Sequence, residues 1–417
     1  MGHPFLALIN MKNDVNEKIL YYAKKIEPIL ISLRREFHAH PELSFKEYRT
    51  SKRIAEELFK IVGIEVRENL ADGTGVMGIL EGEKPGKCIL LRADIDALPI
   101  EEKTDLEYKS QNEGCMHACG HDAHITWLLG TAMILSELRS ELPGTVKFVF
   151  QPAEEIGKGA RLMIEEDHVM ENPDVDMAFA AHAWPTVEAG KIGIAQRYPF
   201  GCAGGFRLTI HGKGGHGSMP HQAVNPIMIA SQICMMLPQI AALRVDAIDP
   251  AVVSVGAISS GELKAGNIIP DTCMMSGTIR STQAAILDTV NIEIERIIKM
   301  CCEPYGVTYE YTSHWGKEGV RNHPELVDLC EHAAKEILGE ENAYVIHRDN
   351  LGGEDFACFS RLVPSVYMYA GIKSESAEEI YGLHSPKFKI DECVLSNVAA
   401  VFAKLVFDAN EMCDGEK

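Results

Sequence analysis

The chain has 417 residues, of which 46% are hydrophobic and 24% charged, and its 40 basic against 60 acidic residues give a net charge of −20. This composition excludes a disordered, collagenous or membrane-spanning chain and leaves room for two or three domains with large cores. A surface this acidic repels phosphate backbones, so nucleic acid is not expected as a partner.

The apolar stretch at 5–9 has no basic region before it and no small-residue cleavage site after it. It is too short for a signal peptide, and no run approaches the roughly 20 apolar residues of a membrane helix, so no membrane contact is expected. The 12 cysteines lack the regular spacing of a disulfide scaffold, which predicts reduced thiols and a cytoplasmic protein. From 13 to 38, apolar Ile19, Leu20, Ala23, Ile26, Ile29, Leu30 and Leu33 recur at helical steps. A second helix is expected at 45–61, ending before Gly63. Apolar runs at 76–80, 88–91, 146–150, 177–181 and 192–195 then alternate with helical stretches at 124–138 and 160–170. Buried strands alternating with helices predict an α/β sheet covered on both faces.

The texture changes near residue 199. The segment "PFGCAGGFRLTIHGKGGHGS" is glycine-rich around one alternating strand, Phe206, Leu208 and Ile210. A helix at 225–243, strands at 252–258 and through "DTCMMSGTIRS", a helix at 284–302 and a strand at 307–311 follow. This β-α-β-β-α-β order predicts a ferredoxin-like unit. Helix and strand alternation resumes afterwards and ends in an amphipathic helix at 394–409. The expected organisation is a catalytic domain, 1–198 and 315–417, interrupted by an inserted domain, 199–314.

The chemistry gathers at strand ends. "LLRADIDALPI" puts Asp94 and Asp96 at the end of an apolar strand, where open α/β sheets bind ligands. In "HACGHDAH", Cys119 and His121 offer a thiolate and an imidazole from a glycine-containing turn before a helix. In "VFQPAEEIGKGA", Pro152 stops a strand and Glu154 and Glu155 follow. Adjacent side chains on a turn diverge, so one carboxylate can bind metal while the other serves as general base. His182 closes "MAFAAHAW" and His384 sits in "YGLHSPKF". Together, Cys119, His121, Glu155, His182 and His384 would supply mixed S, N and O ligands for two divalent ions. His117, His124, His323 and His332 are read as structural.

These motifs, with "RREFHAHPELSFKE", "GKGGHGSMPH", "GNIIPD", "SGTIRS", "GGEDFA" and "LHSP", run from residue 34 to 386. In that order they resemble the M20 metallopeptidase family, specifically its amidohydrolase branch. The resemblance implies a two-metal exopeptidase-like α/β domain with helices on both faces of a mixed sheet, carrying a lid that also forms a homodimer. It implies Cys119, His121, Glu155, His182 and His384 as metal ligands, Glu154 as the general base, and Asp96 as a support for a ligand. His216 would reach the partner subunit's site to polarise the scissile carbonyl, while Asn267 and Arg280 would hold the substrate carboxylate. Zn²⁺ or Mn²⁺ is expected, with Co²⁺ or Ni²⁺ also compatible. Asn225 stands where the branch usually has aspartate, and "QRYPFGCAGGFRL" and "SHWGKEGV" also depart from its pattern.

The expected activity is hydrolysis of an N-acyl amino acid, a small-molecule substrate, by a metal-activated water. A diamino-acid deacetylase, a dipeptidase or a carboxypeptidase is the alternative enzyme reading. An inactive metabolite-binding relative is the non-enzyme alternative, opposed by retention of Glu154 and all five ligand positions.

Overall fold

A computed structural model of the protein describes residues 4–316, 319–374 and 379–412. The chain forms two compact units. The first comprises 1–199, 321–348 and 355–417, and the second comprises 200–320 with 349–354. The exit from the inserted segment expected at 315 falls on a strand's last residue, and the second unit runs on to Val320.

The first unit begins with α1 (Pro4–Ala39), α2 (Tyr48–Leu58), β1 (Ile64–Leu70), β2 (Gly75–Glu81) and β3 (Lys84–Asp94). It continues through α3 (His121–Glu137), β4 (Pro143–Gln151), α4 (Gly159–Glu165), β5 (Met177–Glu188) and β6 (Ile192–Ala195). The second unit holds β7 (Cys202–His211), β8 (Gly215–His216), α5 (Pro226–Met236), α6 (Gln239–Arg244), β9 (Ala251–Ser259), β10 (Ile268–Ile269), β11 (Thr272–Ser281), α7 (Ala284–Cys302) and β12 (Thr308–Trp315). The first unit is completed by α8 (Pro324–Leu338), β13 (Ala343–Ile346), α9 (Ala357–Ser360), β14 (Ser365–Lys373) and α10 (Cys393–Glu411).

The first unit is built on an eight-stranded mixed sheet in the order β1-β2-β4-β3-β5-β14-β6-β13, with helices on both faces. The central neighbours β4, β3, β5 and β14 are parallel. They read as continuous apolar runs because both faces are covered. At the edge, β1 ("IEVRENL") is half polar, so its apolar pattern escapes sequence reading. Several helices differ from expectation: α1 starts at Pro4 where 13 was expected, and α4 ends at Glu165 where 170 was expected. The second helix begins only at Tyr48, because Phe45 sits in the left-handed region at φ 58°. The segment expected at 225–243 is divided into α5 and α6 by Pro238, which has no N–H for a continuous helix. The last, α10, is buried on nearly every face instead of being amphipathic, because it packs with α1, α3 and α8. It is the one helix among the described residues long and apolar enough to cross a membrane. Its Lys404 lies in the core, 2.6 Å from Asp408 and 2.7 Å from Glu336.

In the second unit, four antiparallel strands run in the order β12-β7-β11-β9, and α5 and α7 pack with β7 and β11. The Asn225 side chain caps α5 by accepting the Ile227 N–H at 3.0 Å. Asn and Asp serve this position equally well, so that departure is structurally neutral.

Candidate active site

Parallel pairing sets the C-terminal ends of β3, β4 and β5 side by side. Asp94 lies opposite Gln151, and Arg92 lies between Val149 and Ala180, two residues before His182. The turn after β4 brings up Glu154 and Glu155. At the start of α3, Gly120 takes φ 89° as N-cap, and a Cβ there would stand 2.8 Å from the Ala183 Cβ. Glycine at this position lets the Cys119–His121 turn press against β5.

The fold gathers the nominated donors. The ligand atoms of Cys119, His121 and His182 lie within 4.8 Å of one another, as do those of Cys119, Glu155 and His384, and those of His121, Glu154 and Glu155. His182 Nδ1 is 2.8 Å from the Ala183 carbonyl, so it donates there and turns its Nε2 lone pair to Cys119 Sγ at 3.4 Å. His121 Nδ1 lies 3.3 Å from Asp96 Oδ1. His121 Nε2 and Glu155 Oε1 are buried with no hydrogen-bond partner among the described residues and stand 3.8 Å apart, with His384 Nε2 3.5 Å from Glu155 Oε1. Buried polar atoms are ordinarily satisfied. Two that converge among a thiol, imidazoles and carboxylates fit a divalent cation.

The electrostatics agree. Burial works against charge on His121, but Asp94, Asp96 and Glu155 outweigh it and hold the imidazole up at about 10. Burial, then Glu155 and Glu154, pushes the Cys119 thiol well above its ordinary value. Burial, then His124, keeps His182 well below its own. In the metal-free site, protons on Cys119 and His121 thus offset the carboxylates.

Asp96 is the hub of the turn. It accepts Ser44 Oγ at 2.7 Å and the N–H groups of Glu154 and Glu155 at 3.2 and 3.1 Å. Behind it lies a buried network that sequence reasoning missed. Arg92 bonds Gln151 Oε1 at 2.8 Å, Asp94 at 2.6 Å and Asp355 at 2.9 Å. Asp355 also accepts from Gln151 Nε2 and the Ala160 N–H. The available signal was an arginine inside an apolar strand, which buried sheets tolerate only when it is paired. His124 lies beside the cluster, yet both its nitrogens are engaged. Nε2 accepts the Ala183 N–H at 3.0 Å, and Nδ1 bonds Asp94.

The other three nominated residues belong to the second unit. The two-residue pairing of β8 with β10 aligns His216 with Ile268, and the Gly217 N–H donates to the Asn267 carbonyl at 2.7 Å. His216 and Asn267 thus border one shallow recess with Gly214, Gly215 and Asp271. His216 Nδ1 accepts the Ser218 N–H at 3.2 Å, which leaves Nε2 to carry the proton of the neutral ring. Arg280 lies apart from that recess, on β11. Its Nη1 donates to the carbonyls of Gly204 and Ile279 at 2.6 and 2.9 Å.

Known proteins carry the same architecture. Residues 90–408 match the model of Peptidase family M20/M25/M40. The chain is 40% identical to thermostable carboxypeptidase 1 of Saccharolobus solfataricus, over 94% of this chain and 98% of that protein. It is 38% identical to the N-acyl-L-amino acid amidohydrolase of Geobacillus stearothermophilus, over 74% of this chain and 82% of that protein. Among solved structures, a dinuclear metal binding peptidase of the M20 family from Bacillus subtilis aligns with a TM-score of 0.77 at 34% identity, covering 93% of this chain and 99% of the other. With a family match over most of its length and relatives aligned over nearly all of it, the chain belongs to Peptidase family M20/M25/M40.

Proposed function

We propose that the protein is a two-metal amidohydrolase that cleaves R–CO–NH–CHR′–COO⁻, with N-acyl-L-amino acids as its substrates. The observation that carries this reading is the pair of adjacent glutamates. Glu155 Oε1 sits among histidines and a thiol with no hydrogen-bond partner among the described residues, while Glu154 on the same turn has a carboxylate oxygen within 4.8 Å of the ligand atoms of His121 and Glu155. A carboxypeptidase cleaves the same unit when the acyl group is itself a peptide. The 40% identity to such an enzyme therefore favours a second reading, in which short peptides are also accepted.

Cys119, His121, Glu155, His182 and His384 would hold two divalent ions, Zn²⁺ or Mn²⁺, with Co²⁺ or Ni²⁺ also suited to thiolate and imidazole. Bound there, the ions would supply Lewis acidity for a water and for the amide carbonyl. Glu154 takes the proton as the water oxygen adds to the carbonyl carbon. It then returns that proton to the amine nitrogen as the C–N bond breaks. Asp96 holds the backbone of both glutamates. In this reading the His216 Nε2–H donates to the carbonyl oxygen as charge develops there, and Asn267 and Arg280 hold the substrate carboxylate. We assign His216 to the partner subunit's site in a homodimer formed through the inserted domain. Exposed Met228, Met235, Ile248, Val252 and Ile258, with β9 at the edge of its sheet, support that assembly. The 11 described cysteines form no disulfide among themselves, which supports a reducing, cytoplasmic setting.

The test is a hydrolysis screen of acetyl, benzoyl, long-chain acyl and indole-acetyl amino acids together with dipeptides. Activity should vanish on exhaustive chelation and return with Zn²⁺ or Mn²⁺. Full activity in protein shown by elemental analysis to be metal-free would overturn the mechanism.

A further inference from the structure

The residue before the glutamate pair is held in an unusual way. Ala153 lies in the left-handed region at φ 55°, a conformation that costs a non-glycine residue of order 1–2 kcal/mol. It directly precedes Glu154, so its dihedrals aim the Glu154 backbone. The three successive N–H groups from Ala153 to Glu155 all end on carboxylates. Asp96 takes the second and third, while Glu47 Oε1 takes the first at 3.0 Å. Glu47 comes from the loop before α2, is fully buried, and has an Oε2 with no hydrogen-bond partner among the described residues. On the far side of the turn, a Cβ on Gly159 would stand 1.6 Å from the Pro152 carbonyl oxygen, so the chain closes tightly behind the pair. Successive N–H groups around a left-handed residue form a concave anion site. Here its guests are two side chains of the protein itself.

We propose that Glu47 is a positioning residue for the reaction, holding Ala153 in its left-handed conformation and thereby fixing the direction of Glu154. This rests on the assignment of Glu154 as general base. Its own backbone N–H and the Thr74 hydroxyl also face the carboxyl group, and the acceptor at Oε1 is the part of it that reaches the turn. Because Asp96 still caps Glu154 and Glu155, loss of the Glu47 acceptor frees Ala153 while leaving the ligand Glu155 anchored. Burial above all, with Asp96 adding to it, raises the Glu47 carboxyl to about 7, so a glutamine is a close mimic of its neutral form.

The experiment compares Glu47→Met, Glu47→Gln and the double variant Glu47→Met/Ala153→Gly on an N-acetyl amino acid, with metal content measured for each. Glu47→Met, similar in volume but without the acceptor, should lower kcat about tenfold or more with KM and bound metal unchanged. Glu47→Gln should stay within about threefold of wild type, because its amide oxygen still accepts the Ala153 N–H. Adding Ala153→Gly to Glu47→Met should restore most of the lost kcat, since glycine takes positive φ without strain. The proposal is overturned by an unchanged kcat in Glu47→Met, by loss of metal in step with kcat, or by a double variant no better than the single. A role in core packing alone would give no recovery from a glycine at 153. If Glu47→Met does not fold, Glu47→Asp, one methylene short of Ala153, carries the same comparison with and without Ala153→Gly. Glu154→Gln is run beside them. If it turns over like wild type, the general-base assignment fails, whereas a dead Glu154→Gln with an indifferent Glu47→Met removes only the role of Glu47.

Discussion

Loading metal onto the metal-free protein should expel about two protons per subunit near neutral pH. His121 is held at about 10 and Cys119 well above its ordinary value, so both carry a proton there. The depressed His182 is already neutral and releases nothing. A ligand must present a lone pair, so each proton has to leave as the ion enters. The competition is large. At pH 7, about three units below the His121 value, that proton alone weakens apparent affinity about a thousandfold, roughly 4 kcal/mol. With two protons displaced, affinity should rise about a hundredfold per pH unit through neutrality. Titration calorimetry in two buffers of different ionisation enthalpy reads the proton count directly. Cys119→Ser, whose hydroxyl has no ionisation to lose, should cut the count to about one. A count near zero, or one unchanged by Cys119→Ser, would show that these two groups are not protonated ligands of the ion. The same linkage governs the stability of the metal-free protein. The folded value of His121 is raised, so its contribution is complete below about pH 6.5 and is lost as pH climbs through about 10.

Glu154→Gln should keep its metal and lose about two to four orders of magnitude in turnover, while Glu155→Gln should lower metal affinity. Equal metal content in the two variants would overturn that division of labour. Co-refolding Glu154→Gln with His216→Ala in equal amounts should restore about a quarter of wild-type activity if His216 serves the partner's site. Verified mixed dimers without activity would remove that claim. Lys147, buried in β4, donates to the carbonyls of Val169, Glu171 and Pro173 at 3.0, 2.7 and 2.7 Å. Lys147→Met should cost about 3 kcal/mol in chemical denaturation by stranding these acceptors, and an unchanged midpoint would contradict it.

Much of this molecule is written locally. Continuous apolar runs mark β3, β4 and β5, because a strand buried on both faces has no polar side to show. The regular spacing of Leu287, Val290, Ile294, Ile297 and Ile298 marks α7 from Ala284 to Cys302. Paired glutamates after a proline, and a cysteine two residues before a histidine, nominate themselves because few packing needs are met by such residues at strand ends. Where one side of an element is polar or a proline interrupts it, local pattern misleads. Polar β1 escapes notice, and α5 and α6 read as one helix.

What remained for the tertiary structure is every relation between residues distant in sequence. Sequence order cannot say that Cys119, His121 and His182 bring their ligand atoms within 4.8 Å of one another, since that depends on β3 and β5 lying side by side. Nor can it separate His124 from His121. Both are histidines at the start of one helix, and only the amide of Ala183 and the carboxylate of Asp94 occupy His124 and leave His121 Nε2 open. The Glu47 contact with Ala153 spans 106 positions. The sequence by itself thus determines which chemical groups the protein owns and which local elements carry them, because propensity and periodicity act over a few residues. Whether a group is satisfied, charged or left facing a cavity is decided by neighbours that the fold supplies, because desolvation and hydrogen bonding act through space.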